Sequence, residues 1–138
     1  MTLPKSSVQR RTFRKAERLV SRKALEELIR DGKSFTVPSY RMVWKACSLP
    51  TTFPAQIAFS VPKRNFRKAV HRNLIKRRMR EAYRKNKQSL YTLLDGAVKP
   101  HALLLIFTGR TIPSGAEVEE KIVLVIERFA DVFKKNPS

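Results

Sequence analysis

Residues 58–84 read AFSVPKRNFRKAVHRNLIKRRMREAYR and contain three sequence patterns in succession. The first letters end AQIAFSV, a short apolar run that predicts a strand, and the basic residues after Pro62 predict a turn. From Val70 onward, apolar residues recur at helical spacing between cations, which predicts an amphipathic helix. The stretch therefore predicts a strand, a basic turn and a basic helix in direct succession.

The predicted helix has an apolar side and a polar side. At about 100° per residue, Ile75, Met79 and Ala82 fall in one narrow sector. Leu74 and Tyr83 lie at the margins of that sector, and we expect it to pack on a sheet. The opposite side forms a polar ridge, which consists of Asn73, Lys76, Arg77, Arg80 and Arg84.

The charges of this ridge indicate an anionic partner. Lys76 and Arg80, like Arg80 and Arg84, are like-charge pairs at i and i+4, which destabilise a helix unless an anion covers them. An ordinary solvated face is the alternative, but such a face usually alternates in sign. A membrane-surface helix would leave its apolar side exposed, and this one is needed for the core. Arginine suits bidentate phosphate contacts, and Asn73 can contact a base edge or a sugar hydroxyl, so a nucleic acid is favoured, without a choice between RNA and DNA.

The charge of the whole chain favours the same class of partner. Thirty Lys and Arg outnumber eleven Asp and Glu among 138 residues, which gives a net charge of +19. Residues 60–87 hold twelve of these cations against Glu81, and residues 5–23 hold eight against Glu17. Such a field opposes a compact fold, and a polyanion compensates for it because neutralised phosphates release counterions. We therefore expect one side of the molecule to be strongly positive. A nucleic acid is the favoured partner for that side, and an anionic membrane surface is the weaker alternative.

The sequence contains little material for a metal site or for catalysis by side chains. Cys47 is the single cysteine, so the chain cannot form an internal disulfide. His71 and His101 are the two histidines, and together with Cys47 they do not give a set of ligands at zinc spacing. We interpret Cys47 as a small buried residue on a strand and His71 as a surface or backbone-contacting residue. Neither paired carboxylates nor a nucleophile beside a base is recognisable.

The remaining segments predict one domain of the α+β class. SRKALEELIRDGKSF predicts a first helix that Ser21 caps and Gly32 closes. SYRMVWKAC and AQIAFSV predict two strands that pair as a hairpin with a long loop. The basic helix should be followed by a polar stretch with a short helix near residues 90–94. HALLLIFTG predicts a buried strand, and residues 114–135 predict a C-terminal amphipathic helix.

These segments give two regions and an expected location. We assign residues 1–20 to a basic N-terminal arm and residues 21–136 to a single RNA-binding α+β domain. The N-terminus has no apolar stretch after its charges, which is unlike a secretory signal. No apolar run approaches the roughly 18 residues that cross a bilayer. We therefore expect a cytoplasmic protein that does not enter a membrane.

The stretch 58–84 resembles the signature of the bacterial ribonuclease P protein family, in which a strand and a basic turn precede an Arg-Asn-x-x-Lys-Arg-x-x-Arg-Glu helix. The upstream FRKAERL, the apolar helix that ends IRDG and the order of elements extend the resemblance to roughly residues 10–133. Family members typically have a second Arg where this chain has Leu74, so one cationic contact is lost while the ridge is kept. The matching positions are Lys63 and Arg64 in the turn, then Arg72, Asn73, Lys76, Arg77, Arg80 and Glu81.

The resemblance implies a ribosomal-protein-S5-domain-2-like sandwich. One mostly antiparallel sheet would pack against helices, with a left-handed βαβ crossover that departs from the usual right-handed connection. It further implies the protein subunit of ribonuclease P, which binds the catalytic RNA and the 5′ leader of precursor tRNA. The holoenzyme is an endonuclease that removes the leader, and catalysis is expected in the RNA, which would bind most of the Mg²⁺. We assign no catalytic residue and no metal ligand to this chain, and the sequence leaves open whether one of its acids helps to hold an ion.

The implied partners are ribonuclease P RNA and precursor tRNA, and the sequence does not decide whether the protein forms oligomers. A ribosomal or ribosome-assembly RNA-binding protein without a processing role is the alternative, because it would explain the charge equally well. Dependence of precursor tRNA cleavage on the protein is what separates these two functions.

Two sets of residues are assigned to RNA. The RNA-binding set covers the basic turn and the helix: Lys63, Arg64, Arg67, Lys68, Arg72, Asn73, Lys76, Arg77, Arg80 and Arg84. The family holds the single-stranded leader in a cleft between the sheet and the first helix, where aromatic side chains can stack on unpaired bases. We place six large apolar residues in that cleft, with ordinary core packing as their alternative: Leu25, Ile29, Tyr40, Met42, Trp44 and Phe59.

Overall fold

A computed structural model describes residues 12–136 of the chain. A single 3₁₀ turn, Lys15–Glu17, precedes the first α-helix. The α-helices are α1 (Arg22–Asp31), α2 (Ala69–Leu94) and α3 (Gly115–Lys135). The strands are β1 (Lys33–Val37), β2 (Tyr40–Ala46), β3 (Ala55–Ser60) and β4 (His101–Phe107).

The four strands form one mixed sheet in the order β1-β2-β4-β3. β1 pairs with β2 and β2 pairs with β4 in the antiparallel sense, whereas β3 and β4 are parallel. Because parallel neighbours need a crossover connection, α2 carries the chain from β3 across to β4. The prediction of an α+β fold with a mostly antiparallel sheet is confirmed. β3, α2 and β4 form the implied βαβ crossover, and its left-handed sense stays a prediction.

The predicted hairpin between the second and third strands is wrong. β4 lies between β2 and β3, and β2 pairs instead with β1, where Val37 is opposite Tyr40. The two residues between them, Pro38 and Ser39, make the turn, and Ser39 has a φ of 71°. Proline followed by a small polar residue is a turn signal. The strand before this turn, β1, is not among the strands predicted from the sequence, because it begins directly after Gly32, which closes α1.

Alternate side chains of the sheet enter two hydrophobic clusters. The larger cluster lies between the sheet and the helices α2 and α3, and Trp44, Leu103 and Leu105 are fully buried in it. The smaller cluster lies under α1 and includes Leu28 and Cys47. Cys47 is buried as predicted, directly after β2, and burial raises the pKa of its thiol.

The ends of α1 agree with the sequence. The Oγ of Ser21 accepts the backbone N–H of Ala24 at 3.2 Å, which caps the helix. Gly32 follows the last helical residue at a point where the chain passes close to β2. A Cβ atom at this position would lie 2.4 Å from the carbonyl oxygen of Leu28 and 2.8 Å from Cγ1 of Val43, so the close approach requires glycine.

The other two helices differ in how well the sequence describes them. α3 begins as predicted. The side chains of Ser114 and Glu117 cap each other's backbone N–H groups. The hydrogen bond from the Ser114 backbone lowers the pKa of Glu117.

The prediction of a separate short helix near residues 90–94 is wrong, because α2 continues unbroken to Leu94. Its polar stretch is held on α3 by Glu119, which pairs with Lys85 at 3.7 Å and accepts from Asn86 at 3.2 Å.

Residues 12–20, which we call the strap, belong to the predicted N-terminal arm and pack along the outer edge of β3. Arg18 forms a parallel bridge with Ile57, and the N–H of Leu19 donates to the Ile57 carbonyl at 3.0 Å. Leu19 is buried in the cluster under α1. The rest of the arm, residues 1–11, lies outside the described residues.

Truncating Trp44 should cost far more stability than truncating Ile29, although both were assigned to the leader cleft. Trp44 is 0% exposed, and its ring packs edge-to-face on Phe129 with centroids 5.2 Å apart. Trp44→Ala should therefore lower the free energy of unfolding by about 3–5 kcal/mol. Ile29 is 67% exposed, so Ile29→Ala should change it by less than about 0.5 kcal/mol. Urea denaturation measures both, and equal small losses would contradict the buried placement of Trp44.

Candidate nucleic-acid interface

The basic turn between β3 and α2 is held in shape by Arg72. Nη1 of its guanidinium donates to the carbonyl oxygens of Phe66 at 2.7 Å and Arg67 at 2.9 Å. Phe66 is itself buried, and its ring stacks on Phe107 with centroids 6.0 Å apart. The turn is thus fixed from the core side by an aromatic ring and from the helix side by two charge-assisted hydrogen bonds.

This fixed backbone presents four cationic side chains to solvent. The N–H groups of Asn65 and Phe66 donate to the carbonyls of Pro62 and Lys63, both at 3.2 Å, which closes a tight turn before α2. The N-terminus of a helix carries a partial positive charge and unpaired N–H groups, so it adds to the attraction for anions. The exposed cations around it are Lys63, Arg64, Arg67 and Lys68.

The two sides of α2 lie as the sequence predicts. Ile75, Met79 and Ala82 are buried in the larger cluster. On the polar ridge, Asn73 and Arg77 are exposed, and the other three members are partly exposed: Lys76, Arg80 and Arg84. Leu74 is also partly exposed, at the margin between the two sides. The ridge therefore runs on from the basic turn as a surface of the same sign.

The cations of α2 are not equally available to a ligand. Arg84 forms two hydrogen bonds with the carboxylate of Glu81, at 3.1 and 2.7 Å, and these bonds raise the pKa of Arg84. Arg78 donates to the carbonyl of Pro113 at 2.5 Å and so joins α2 to the start of α3. Within the described part of the chain, the ion pairs involve none of the three central ridge cations, which are Lys76, Arg77 and Arg80.

The six residues assigned to the leader cleft do not share one cleft. Tyr40, Met42 and Trp44 face α2 and α3 and are buried in the larger cluster. Phe59 lies on that same face of the sheet and is partly exposed, with its ring 5.8 Å from that of Tyr83. Leu25 and Ile29 belong to α1, which covers the opposite face. The structure therefore does not bring the six residues together. Strand alternation groups Tyr40, Met42 and Trp44 on one face, but it does not say which helix covers that face.

A different cleft lies beside α1. It has a volume of about 390 Å³ between the first turn of α1 and the end of β2. Three lysines line it, namely Lys23, Lys45 and Lys99, and Lys45 also lies 3.7 Å from Glu27. This cleft is not among the sites predicted from the sequence. The available signal was the position of Lys45 on β2, out of phase with the core residues and therefore on the other face.

Residues 12–136 provide neither a cluster of metal ligands nor a membrane-spanning helix. These residues contain no group of three or more His, Cys, Asp or Glu side chains that could hold a metal ion. None of their helices combines the length and the apolar character needed to cross a membrane. His71 is partly exposed on the first turn of α2, where its backbone N–H donates to the Lys68 carbonyl at 3.1 Å.

Sequence comparison decides the family. A family model described as Ribonuclease P matches residues 13–108. The chain belongs to the ribonuclease P protein family. The ribonuclease P protein component of Porphyromonas gingivalis is 40% identical over 116 residues, which cover 84% of this chain and 85% of that protein. The component from Chlorobium phaeobacteroides is 38% identical over 87 residues, which cover 61% of this chain and 60% of that protein.

Solved structures of ribonuclease P proteins share the fold. The Staphylococcus aureus protein superposes with a TM-score of 0.62 at 19% identity, over 86% of this chain and 99% of that one. The Thermotoga maritima protein also gives a TM-score of 0.62, at 21% identity, over 81% of this chain and 96% of that one. At such identities the likeness concerns the α+β fold, whereas family membership follows from the sequence matches.

Arg72→Ala should loosen the basic turn, whereas Arg77→Ala should not. Arg72 contributes two charge-assisted hydrogen bonds, so its loss should lower the free energy of unfolding by about 1–2 kcal/mol. It should also speed hydrogen exchange at the Phe66 amide. Arg77→Ala is the same substitution at an exposed position of the ridge, so it should lower the free energy of unfolding by less than about 0.5 kcal/mol. Urea denaturation with amide exchange tests this, and identical behaviour of the two variants would contradict the clamp.

Proposed function

We propose that this chain is the protein subunit of ribonuclease P and promotes the endonucleolytic removal of the 5′ leader from precursor tRNA. The observation that carries the proposal is the basic turn held in place by Arg72 beside the α2 ridge, in a chain that belongs to the ribonuclease P protein family. The turn and the ridge would bind the catalytic RNA. Their geometry is set before binding, which reduces the ordering cost of association.

The chemistry of this surface suits a folded RNA. The exposed cations of the turn and the central ridge cations are spaced over a continuous surface, so they can neutralise successive phosphates and release counterions. Asn73 is exposed among them and can contact a 2′-hydroxyl or a base edge. Arg72 contributes indirectly in this proposal, because its guanidinium holds the turn instead of facing the RNA.

The leader would lie on the α1 face of the sheet. The cleft beside α1 supports this, since Lys23, Lys45 and Lys99 would attract the backbone of a single strand. Leu25 and the exposed Ile29 lie on this side and could contact leader bases. The buried Tyr40, Met42 and Trp44 take no part in this proposal, because a fully packed side chain has no surface to offer a base.

Catalysis is assigned to the RNA subunit and its bound Mg²⁺. Magnesium prefers oxygen ligands, and the described residues supply no cluster of carboxylates that would serve it, whereas an RNA supplies phosphate oxygens. Bound Mg²⁺ would activate water and stabilise charge on the phosphate under attack. The role of this chain would be to bind the RNA and to hold the leader. We place the resulting ribonucleoprotein in the cytoplasm.

A cleavage assay at low Mg²⁺ tests the proposal. Ribonuclease P RNA from a bacterium is incubated with precursor tRNA, with and without the protein, using substrates that carry or lack a 5′ leader. We expect the protein to restore cleavage and to do so chiefly for leader-bearing substrates. A protein that binds the RNA but changes neither cleavage nor substrate affinity would instead indicate a ribosomal or ribosome-assembly protein.

Lys76→Ala combined with Arg80→Ala should weaken assembly with the RNA. Loss of two phosphate contacts should reduce the slope of log affinity against log salt by about two. Arg128→Ala with Lys134→Ala removes the same charge from exposed positions on α3 and should leave the slope nearly unchanged. Filter binding over a range of salt concentrations measures both variants. Equal slopes for the two double variants would remove the ridge from the interface.

Lys23→Gln combined with Lys45→Gln should act on the substrate instead of on assembly. The affinity of the holoenzyme for leader-bearing precursor tRNA should fall several-fold, because two cations leave the cleft beside α1. Binding of the ribonuclease P RNA should be unchanged. Comparing substrates with and without a leader isolates the effect, and an equal loss for both substrates would place the leader elsewhere.

A further inference from the structure

A buried polar cluster fastens the strap to α2. Glu17 is 0% exposed, and Lys87 and Tyr91 are buried beside it. Oε1 of Glu17 accepts from the Lys87 ammonium group and from the Tyr91 hydroxyl, the latter at 2.6 Å. Oε2 accepts the backbone N–H of Arg14 at 2.7 Å, and Lys87 also donates to the carbonyl of Thr12. Both oxygens of the carboxylate are therefore bonded, one to the strap itself and one to the helix.

Apolar and backbone contacts fix the strap on both sides of this cluster. The ring of Phe13 packs edge-to-face on Phe59 at 6.1 Å and on Tyr83 at 5.8 Å. The carbonyl of Ala16 accepts from Thr51 Oγ1 at 2.8 Å and from Gln56 Nε2 at 3.0 Å. The strap is thus part of the folded domain from Phe13 to Leu19, and its position relative to α2 is defined.

A buried ion pair is an unusual way to attach a surface segment. Removing two charges from water is costly, and an apolar pair of similar size often stabilises a fold as well or better. What an ion pair with several hydrogen bonds adds is a defined geometry, because an uncompensated buried charge disfavours any other arrangement. Burial also raises the pKa of Tyr91, which keeps its hydroxyl protonated as a donor to Glu17.

The cluster places the strap next to the cationic side of α2. Lys76, Arg80, Tyr83 and Lys87 follow one another at i, i+4, i+7 and i+11, so they form one stripe along the helix. The strap packs on the last two of these residues, and the first two are cations of the ridge. The strap carries three exposed cations of its own, which are Arg14, Lys15 and Arg18.

We infer that Glu17 is a positioning residue, which holds the strap beside α2 so that Arg14, Lys15 and Arg18 extend the ridge into one continuous site for RNA phosphates. This inference rests on the proposed function, since it adds a second basic segment to the same RNA surface. Glu17 does not touch the RNA. Because Glu17 is buried and bonded to α2, it fixes the position of the cations that neighbour it in the strap.

The strap cations are tested first with a charge-matched pair of variants. Arg14→Gln, Lys15→Gln and Arg18→Gln are combined in one protein, and Arg128→Gln, Lys134→Gln and Lys135→Gln in another. Both sets are exposed, and the second lies on α3. Binding of ribonuclease P RNA is measured across salt concentrations. We expect the strap variant to lose about two to three from the log–log slope and the α3 variant to lose less than about one.

Glu17→Gln then tests the positioning role. The amide keeps a similar shape but leaves Lys87 without its counter-charge, so the strap should be less well held. We expect the slope to fall as in the strap variant, with little further loss when Glu17→Gln is added to that variant. Glu17→Asp, which keeps the charge, should recover part of the slope. If Glu17→Gln lowers thermal stability but leaves the slope at the wild-type value, Glu17 is structural only and the inference is wrong.

The controls separate this inference from the proposed function. If wild-type protein supports precursor tRNA cleavage but the strap and α3 variants bind the RNA with the same slope, the strap lies outside the interface and only this inference fails. If wild-type protein neither binds ribonuclease P RNA nor supports cleavage, the proposed function fails and this inference with it. Should Glu17→Gln not fold, Glu17→Asp is compared with the wild-type protein instead. A slope between those of the wild-type protein and the strap variant supports the positioning role, and a wild-type slope at lowered thermal stability contradicts it.

Discussion

The burial of one side of α2 against the sheet is the interaction on which the rest of the molecule depends. A helix with like charges at i and i+4 is disfavoured in isolation, and α2 repeats this spacing along its ridge. It is stable here because Ile75, Met79 and Leu90 are buried in the larger cluster. Hydrophobic burial therefore supplies the stability that allows cations to be concentrated on the opposite side. The cationic charge of the ridge and the packing of the core are therefore two properties of the same helix.

Local periodicity explains which parts of this structure could be predicted from the sequence. The apolar sector of α2, the cap at Ser21 and the C-terminal helix follow from residues close in sequence, and each has the predicted form. Strand pairing does not follow in this way, because β4 separates β2 from β3 and its contacts join distant parts of the chain. For the same reason, the sequence does not show which helices cover each face of the sheet. Alternation grouped Trp44 with Tyr40, but only the three-dimensional arrangement shows that α2 and α3 cover them.

Two charged residues have roles that charge counting does not reveal. In the sequence, Arg72 is one cation among many in the basic stretch, and Glu17 is one acid among cations. In the structure, Arg72 holds two carbonyls of the turn, and Glu17 holds Lys87, Tyr91 and a backbone amide of the strap. Both therefore act on the backbone that carries other cations. The number of charges can be counted from the sequence. The positions of the exposed cations, however, depend on a few charged residues that bond to the backbone or to buried side chains.

The central position of β4 affects the order in which the protein can fold during synthesis. β4 is the last of the four strands along the chain, yet it lies between β2 and β3 and pairs with both. Until Phe107 has left the ribosome, β3 has no partner strand, and the apolar side of α2 lacks most of the sheet on which it packs. Domain folding must therefore wait for distant contacts, which is typical of topologies with long sequence separation. The basic helix emerges well before the strand that stabilises it, so the nascent chain carries its most cationic segment for a time without a finished core beneath it.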